Sequence, residues 1–237
     1  MTPWFQIVHI GEDTQALALA GFITVCLACA GYWKRAFRWV ASLGVGAGLV
    51  LAGKLAFEFY GWFLPSLGLY SISGHAMLTA AVYPVMCMLL GSTVGERAAR
   101  YGIVAGLWVA LVMAIVLVAG RYHTLAETLI GAAIGLCVAW INARPVVSLR
   151  GHRVSVLLAA LLAVLALAAL PRMLEPIKES LWAQGARWLD VTMQCIRDID
   201  VDPASGQTVV RVLQCPVSLP ANRPPRAARP WLELAAG

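Results

Sequence analysis

Tyr101–Gly120, YGIVAGLWVALVMAIVLVAG, runs without one charged residue, with Arg97 and Arg100 before it and Arg121 directly after it. About 20 apolar residues are what a helix needs to cross the hydrocarbon core of a bilayer. Stretches of similar character recur at Ala16–Trp33, Trp39–Phe57, His75–Gly91, Thr124–Ile141 and Val154–Leu170. Together they predict an all-α, polytopic six-helix transmembrane bundle over residues 1–171. Composition agrees, since 60% of the 237 residues are hydrophobic and only 13% are charged, which excludes an ordinary soluble domain.

Trp33, Trp39, Trp62 and Trp140 fall near predicted helix ends, where an amphipathic ring prefers the headgroup zone. No basic residue precedes the first span, and Glu12 and Asp13 stand where an export signal carries positive charge, so that span reads as retained. Lys34, Arg35 and Arg38 follow the first span, Arg97 and Arg100 the third, and Arg144, Arg150 and Arg153 the fifth. The connections at the other side hold only Arg121. Positive-inside bias therefore puts both termini and the 58–74 and 118–123 loops outside, and the expected setting is a bacterial inner membrane with these on the periplasmic side. The net charge of +6 follows from that bias plus a basic tail, and no nucleic-acid partner is needed to explain it.

Residues 172–215 predict a small extramembrane tail. Pro176 opens an amphipathic interfacial helix bearing Ile177, Leu181, Trp182, Trp188 and Leu189. Two β-like runs, Val191–Val201 and Thr208–Cys215, then flank the turn formers Asp202–Gly206. Folding about Ser205 sets Val201 opposite Val209 and Cys195 opposite Cys215. That register admits a disulfide in an oxidising compartment, two free thiols being the alternative. Residues 216–237, rich in proline and arginine, are expected to be disordered. Cys26, Cys29, Cys87 and Cys137 lie within spans, where a thiol is a small hydrophobe. Gly44, Gly46, Gly48 and Gly53, and the Gly131-x-x-x-Gly135 pair, are expected to let helices approach closely.

Ionisable side chains at the ends of membrane helices are costly unless they face a polar cavity, so they mark a site. His123 and Glu127, four apart, share a helix face, and the carboxylate can hold one imidazole nitrogen while the other attacks. A plain helix cap is the alternative for that pair. Ser73 is placed to cap the helix that starts Gly74-His75, exposing backbone N–H groups suited to an anion, and His75 can protonate a departing oxygen. Lys54 lies about one turn from the end of the second span, where its ammonium can reach a phosphate or simply pair with Glu58.

In order and spacing, Lys54, then Ser73-Gly74-His75, then His123 with Glu127 resembles the three motif blocks of the type-2 phosphatidic acid phosphatase (lipid phosphate phosphatase) superfamily. The resemblance covers roughly residues 40–140. It implies that His123 forms a phosphohistidine, that Glu127 orients it, and that His75 protonates the leaving oxygen. Lys54, Ser73 and Gly74 would then hold the phosphoryl oxygens. It implies a phosphorylated lipid as substrate, hydrolysed as a phosphomonoester or pyrophosphate, and neither metal nor cofactor. This sequence departs from the pattern at several points. The Arg-Pro that ends the first block is Gly61-Trp62, the Ser-Arg of the third is Val116-Leu117, and glutamate replaces aspartate at 127. Arg121 is the nearby candidate to replace a lost guanidinium. Two competing functions fit the same residues. One is a non-catalytic or transporter-like binder of phosphorylated lipid; the other, with less in its favour, is an intramembrane serine protease using Ser73.

Overall fold

The structure, a computed structural model, describes residues 13–144, Ser180, Gln184, 196–201 and 208–214. The expected sixth span, the interfacial helix apart from Ser180 and Gln184, the Cys195–Cys215 pair and residues 216–237 lie outside the described residues. The described chain forms helices α1 (Asp13–Cys29), α2 (Trp33–Tyr60), α3 (Gly74–Ser92), α4 (Glu96–Ala119) and α5 (Leu125–Asn142), then strands β1 (Ile196–Val201) and β2 (Thr208–Gln214). Helices α2 to α5 are long and apolar enough to cross a membrane, whereas the apolar part of α1, Gln15–Cys29, is shorter. Large apolar side chains lie exposed along the outer faces of α4 and α5, among them Val104, Trp108, Leu111, Ile115, Leu129 and Leu136. Such a surface suits lipid, since in water it would be a large sticky patch. This is the fold of an integral membrane protein.

Helix α3 is the axis of the bundle, packing against all four others. Its contacts with α4 are set by Gly102 and Gly106. A Cβ at Gly102 would stand 2.2 Å from the Cys87 carbonyl oxygen, and one at Gly106 would stand 2.4 Å from Cα of Pro84. On the other side, Gly131 and Gly135 of α5 would meet the carbonyl oxygens of Ser73 and Met77 at 2.3 and 2.2 Å. Backbones can approach this closely only where side chains are missing. Of the helix-two glycines, Gly46 and Gly53 do meet neighbours, but Gly44 and Gly48 have nothing within 4 Å. The expectation of packing there is corrected: those two face outward.

Helix ends also differ from expectation. α2 begins at Trp33 and α4 at Glu96, so Lys34, Arg35, Arg38, Arg97 and Arg100 occupy the first two helical turns instead of loops. Glu96 and Arg100 pair at 2.6 Å on the exposed face at the start of α4. Trp33, Trp62 and Trp140 are 70%, 76% and 85% exposed, whereas Trp39 is fully buried and donates its indole N–H to the Ala20 carbonyl at 3.1 Å. Trp39 is thus an interior link between α1 and α2. A buried indole N–H needs such a partner, and a helix carbonyl can supply it.

The hairpin pairs antiparallel, with Val201 opposite Thr208 and Ile199 opposite Val210. An irregularity between Ile196 and Arg197 then sets Ile196 opposite Gln214. Over Arg197–Val201 the pairing therefore lies one residue from the expected register, and the irregularity absorbs the difference.

Candidate active site

Alternating helix directions bring the C-terminal ends of α2 and α4 together with the N-terminal ends of α3 and α5. The basic residues of the first turns of α2 and α4 lie at the opposite end, where Arg35 Nη1 reaches the Arg144 carbonyl at 3.4 Å.

Helix α5 starts with a capping box. The Thr124 hydroxyl accepts the Glu127 N–H at 3.3 Å, and Glu127 Oε2 accepts the Thr124 N–H at 3.2 Å. The same Oε2 lies 2.9 Å from His123 Nδ1. Glu127 Oε1 accepts two more bonds from the α2–α3 connection, the N–H of Tyr70 at 3.1 Å and of Ser71 at 2.9 Å. Thr124 Oγ1 donates to the Gly68 carbonyl at 2.7 Å, and the Ser73 N–H reaches the Glu127 carbonyl at 3.3 Å. Glu127 has no exposed surface and the His123 side chain 13%. A carboxylate only accepts, so its bond fixes the proton of a neutral imidazole on Nδ1 and the lone pair on Nε2.

Helix α3 starts at Gly74, and the Ser73 hydroxyl accepts the Ala76 N–H at 3.3 Å. Ser73 is the N-cap that its position predicts, and it is fully buried. Its hydroxyl is engaged with its own helix. The His75 ring lies on the partly exposed face of the first turn. Its centroid is 6.4 Å from that of His123, with the rings tilted by 50°. Two imidazoles at that separation can reach oxygens of one tetrahedral anion, with hydrogen bonds of about 2.8 Å.

Lys54 is half-buried on α2 and forms no ion pair with Glu58 or hydrogen bond to either histidine. Arg121 is exposed and holds φ at 61°, the one non-glycine in that region among the described residues. It follows Gly120, the C-cap of α4, at a point where Tyr122 N–H bonds the Leu117 carbonyl at 3.0 Å and Arg121 N–H that of Val118 at 3.1 Å. This is a Schellman turn with arginine in the place that glycine usually takes. Leu117 itself is buried beside Ala76 and Met113, so a guanidinium there would face hydrocarbon. Gly61, at φ 62°, ends α2 and turns the chain into the connection.

Between the end of α2 and the α2–α3 connection lies a pocket of about 590 Å³, bounded by Gly53, Ala56, Trp62, Phe63, Tyr70 and Ile72. Its walls are mostly apolar, and Tyr70 and Ser71 are common to it and to the Glu127 network. The backbone donors of Tyr70 and Ser71 were not foreseen, because they depend on contact between segments more than 50 residues apart. Thr124 was foreseeable: Thr-x-x-Glu before an apolar run is the signature of a capping box. Among the described residues, no group of three or more His, Cys, Asp or Glu side chains is placed to hold a metal ion.

No family model matches the chain, and no solved structure matches it. It is 26% identical over 133 residues to "Uncharacterized 22.5 kDa protein in cps region" of Klebsiella pneumoniae. The matched region is 56% of this chain and 64% of that protein, so the chain spans less than two thirds of the relative's length.

Proposed function

We propose that this protein is a lipid phosphate phosphatase, similar in chemistry to the type-2 phosphatidic acid phosphatases. It hydrolyses a phosphomonoester or pyrophosphate on a membrane lipid. The observation that carries the proposal is the contact of buried Glu127 with part-buried His123 at 2.9 Å, with the His75 ring 6.4 Å from that of His123. In the first step His123 Nε2 forms a bond to phosphorus while the bond from phosphorus to the lipid oxygen breaks, and His75 gives that oxygen a proton. In the second step water attacks the phosphohistidine, His75 takes the water proton, and the P–N bond breaks to release phosphate. Gly74 and the N-terminus of α3 that Ser73 caps, together with Lys54 and Arg121, neutralise the charge that builds on the phosphoryl oxygens. The mostly apolar pocket that shares Tyr70 and Ser71 with the Glu127 network offers room for hydrocarbon of the lipid. In this reading the bundle has six spans, and the histidines face the periplasmic side of a bacterial inner membrane.

Purified protein without added metal should release phosphate from a lipid phosphate, vanadate should inhibit it, and His123→Ala should abolish it. Undiminished release by His123→Ala would remove the nucleophile assignment. A second reading, a non-catalytic binder of phosphorylated lipid, draws on the burial of Leu117 and the Gly61-Trp62 turn, which leave the site poor in arginine. Binding of the lipid phosphate without turnover would favour it.

A further inference from the structure

Phe57 at the end of α2 and Phe63 and Tyr70 of the α2–α3 connection form one aromatic cluster. Phe63 stacks on Tyr70 at 5.4 Å, and Phe57 stands edge-on to both at 6.1 and 6.2 Å. Phe57 and Tyr70 are buried, and Val210 and Val212 of β2 pack against them. Two residues apart on a strand, these valines project from one face. Tyr70 bonds Glu127 Oε1 through its N–H, Ser71 does the same, and Glu127 Oε2 holds His123 Nδ1. A continuous series of contacts therefore runs from the extramembrane hairpin to the imidazole.

We infer that Val210 and Val212 are positioning residues for the chemistry at His123, acting through Tyr70 and Glu127; the inference rests on the phosphatase reading for its activity measurement alone. Glu127 takes donors from Tyr70, Ser71, Thr124 and His123, and two of these come from the segment on which the hairpin sits. A two-stranded hairpin is marginal alone, so docking orders the hairpin and the Tyr70–Ser71 segment together. When the hairpin leaves, the segment is released, the carboxylate loses two of its donors, and the ring it orients loosens.

The test uses the full chain in lipid nanodiscs with three double variants, Val210→Asp/Val212→Asp, Val210→Thr/Val212→Thr and Val210→Ile/Val212→Ile. The threonine pair is nearly isosteric and suits a strand, so it folds even if the aspartate pair does not. On a water-soluble phosphate ester, kcat should fall about tenfold to a hundredfold in the aspartate pair. It should fall less in threonine, with KM little changed, and return to wild type in isoleucine. Nitrogen NMR of the His123 ring, identified by its loss in His123→Ala, should show the Nδ1 bond weakened in the same order. An unchanged ring resonance and kcat in the threonine and aspartate pairs would overturn the inference, as would an equal loss in the isoleucine pair. Wild-type protein without turnover would sink the phosphatase reading instead, and the ring resonance would still decide the role of the valines.

Discussion

A carboxylate with no solvent exposure persists at Glu127 because four donors converge on its two oxygens. Burying an ion without such partners is prohibitive. Glu127→Ala strands the N–H groups of Tyr70, Ser71 and Thr124, and should destabilise the protein by about 2–4 kcal/mol, read from denaturant unfolding in detergent. Glu127→Gln keeps the shape but sets amide hydrogens against backbone donors, so it should lose activity and part of the stability together. Arg121 separates turn geometry from charge. Both Arg121→Gly and Arg121→Ala remove the guanidinium, but only glycine relieves the left-handed backbone. The glycine variant should therefore be about 1 kcal/mol more stable than the alanine variant. If Arg121 holds phosphate, the two should show the same rise in KM.

Among helices, the deciding quantity is how closely backbones meet. The Ser73 carbonyl lies where a Cβ of Gly131 would be, 2.3 Å away, and neither backbone can yield cheaply. Gly131→Ala should separate α5 from α3, shift Glu127 against Ser73, and reduce both stability and turnover. Gly48→Ala meets nothing within 4 Å and should be neutral or stabilising by about 0.5–1 kcal/mol, since alanine favours the helix. Thermal unfolding of the two variants in one detergent compares them directly. Much at this scale was legible beforehand: the apolar runs within the described residues are helices, and Thr124 and Ser73 cap two of them as their side chains allow. Which glycines pack was not legible. Gly44, Gly48, Gly102 and Gly106 look alike in the chain, and only the neighbouring helix tells them apart.

For the whole molecule, the histidines and Trp62 lie at one end of the bundle and the arginines of the first turns of α2 and α4 at the other. With the proposed orientation, a membrane-impermeant thiol reagent should label Trp62→Cys in intact cells and leave Val94→Cys unmodified until the membrane is opened. The background must lack the exposed Cys29 and Cys137 and the tail residues Cys195 and Cys215. The reverse pattern would turn the site to the inner side. The chain's letters alone determined the apolar helices, the capping residues and the His123–Glu127 pair, because each depends on spacing within about one or two helical turns. Tertiary structure decided that Trp39 is interior and that the Tyr70–Ser71 backbone holds Glu127. It also decided that His75 faces His123 and that β2 rests on Phe57 and Tyr70. Those contacts join segments far apart in the chain, and their energies depend on which faces meet, a quantity no local pattern contains.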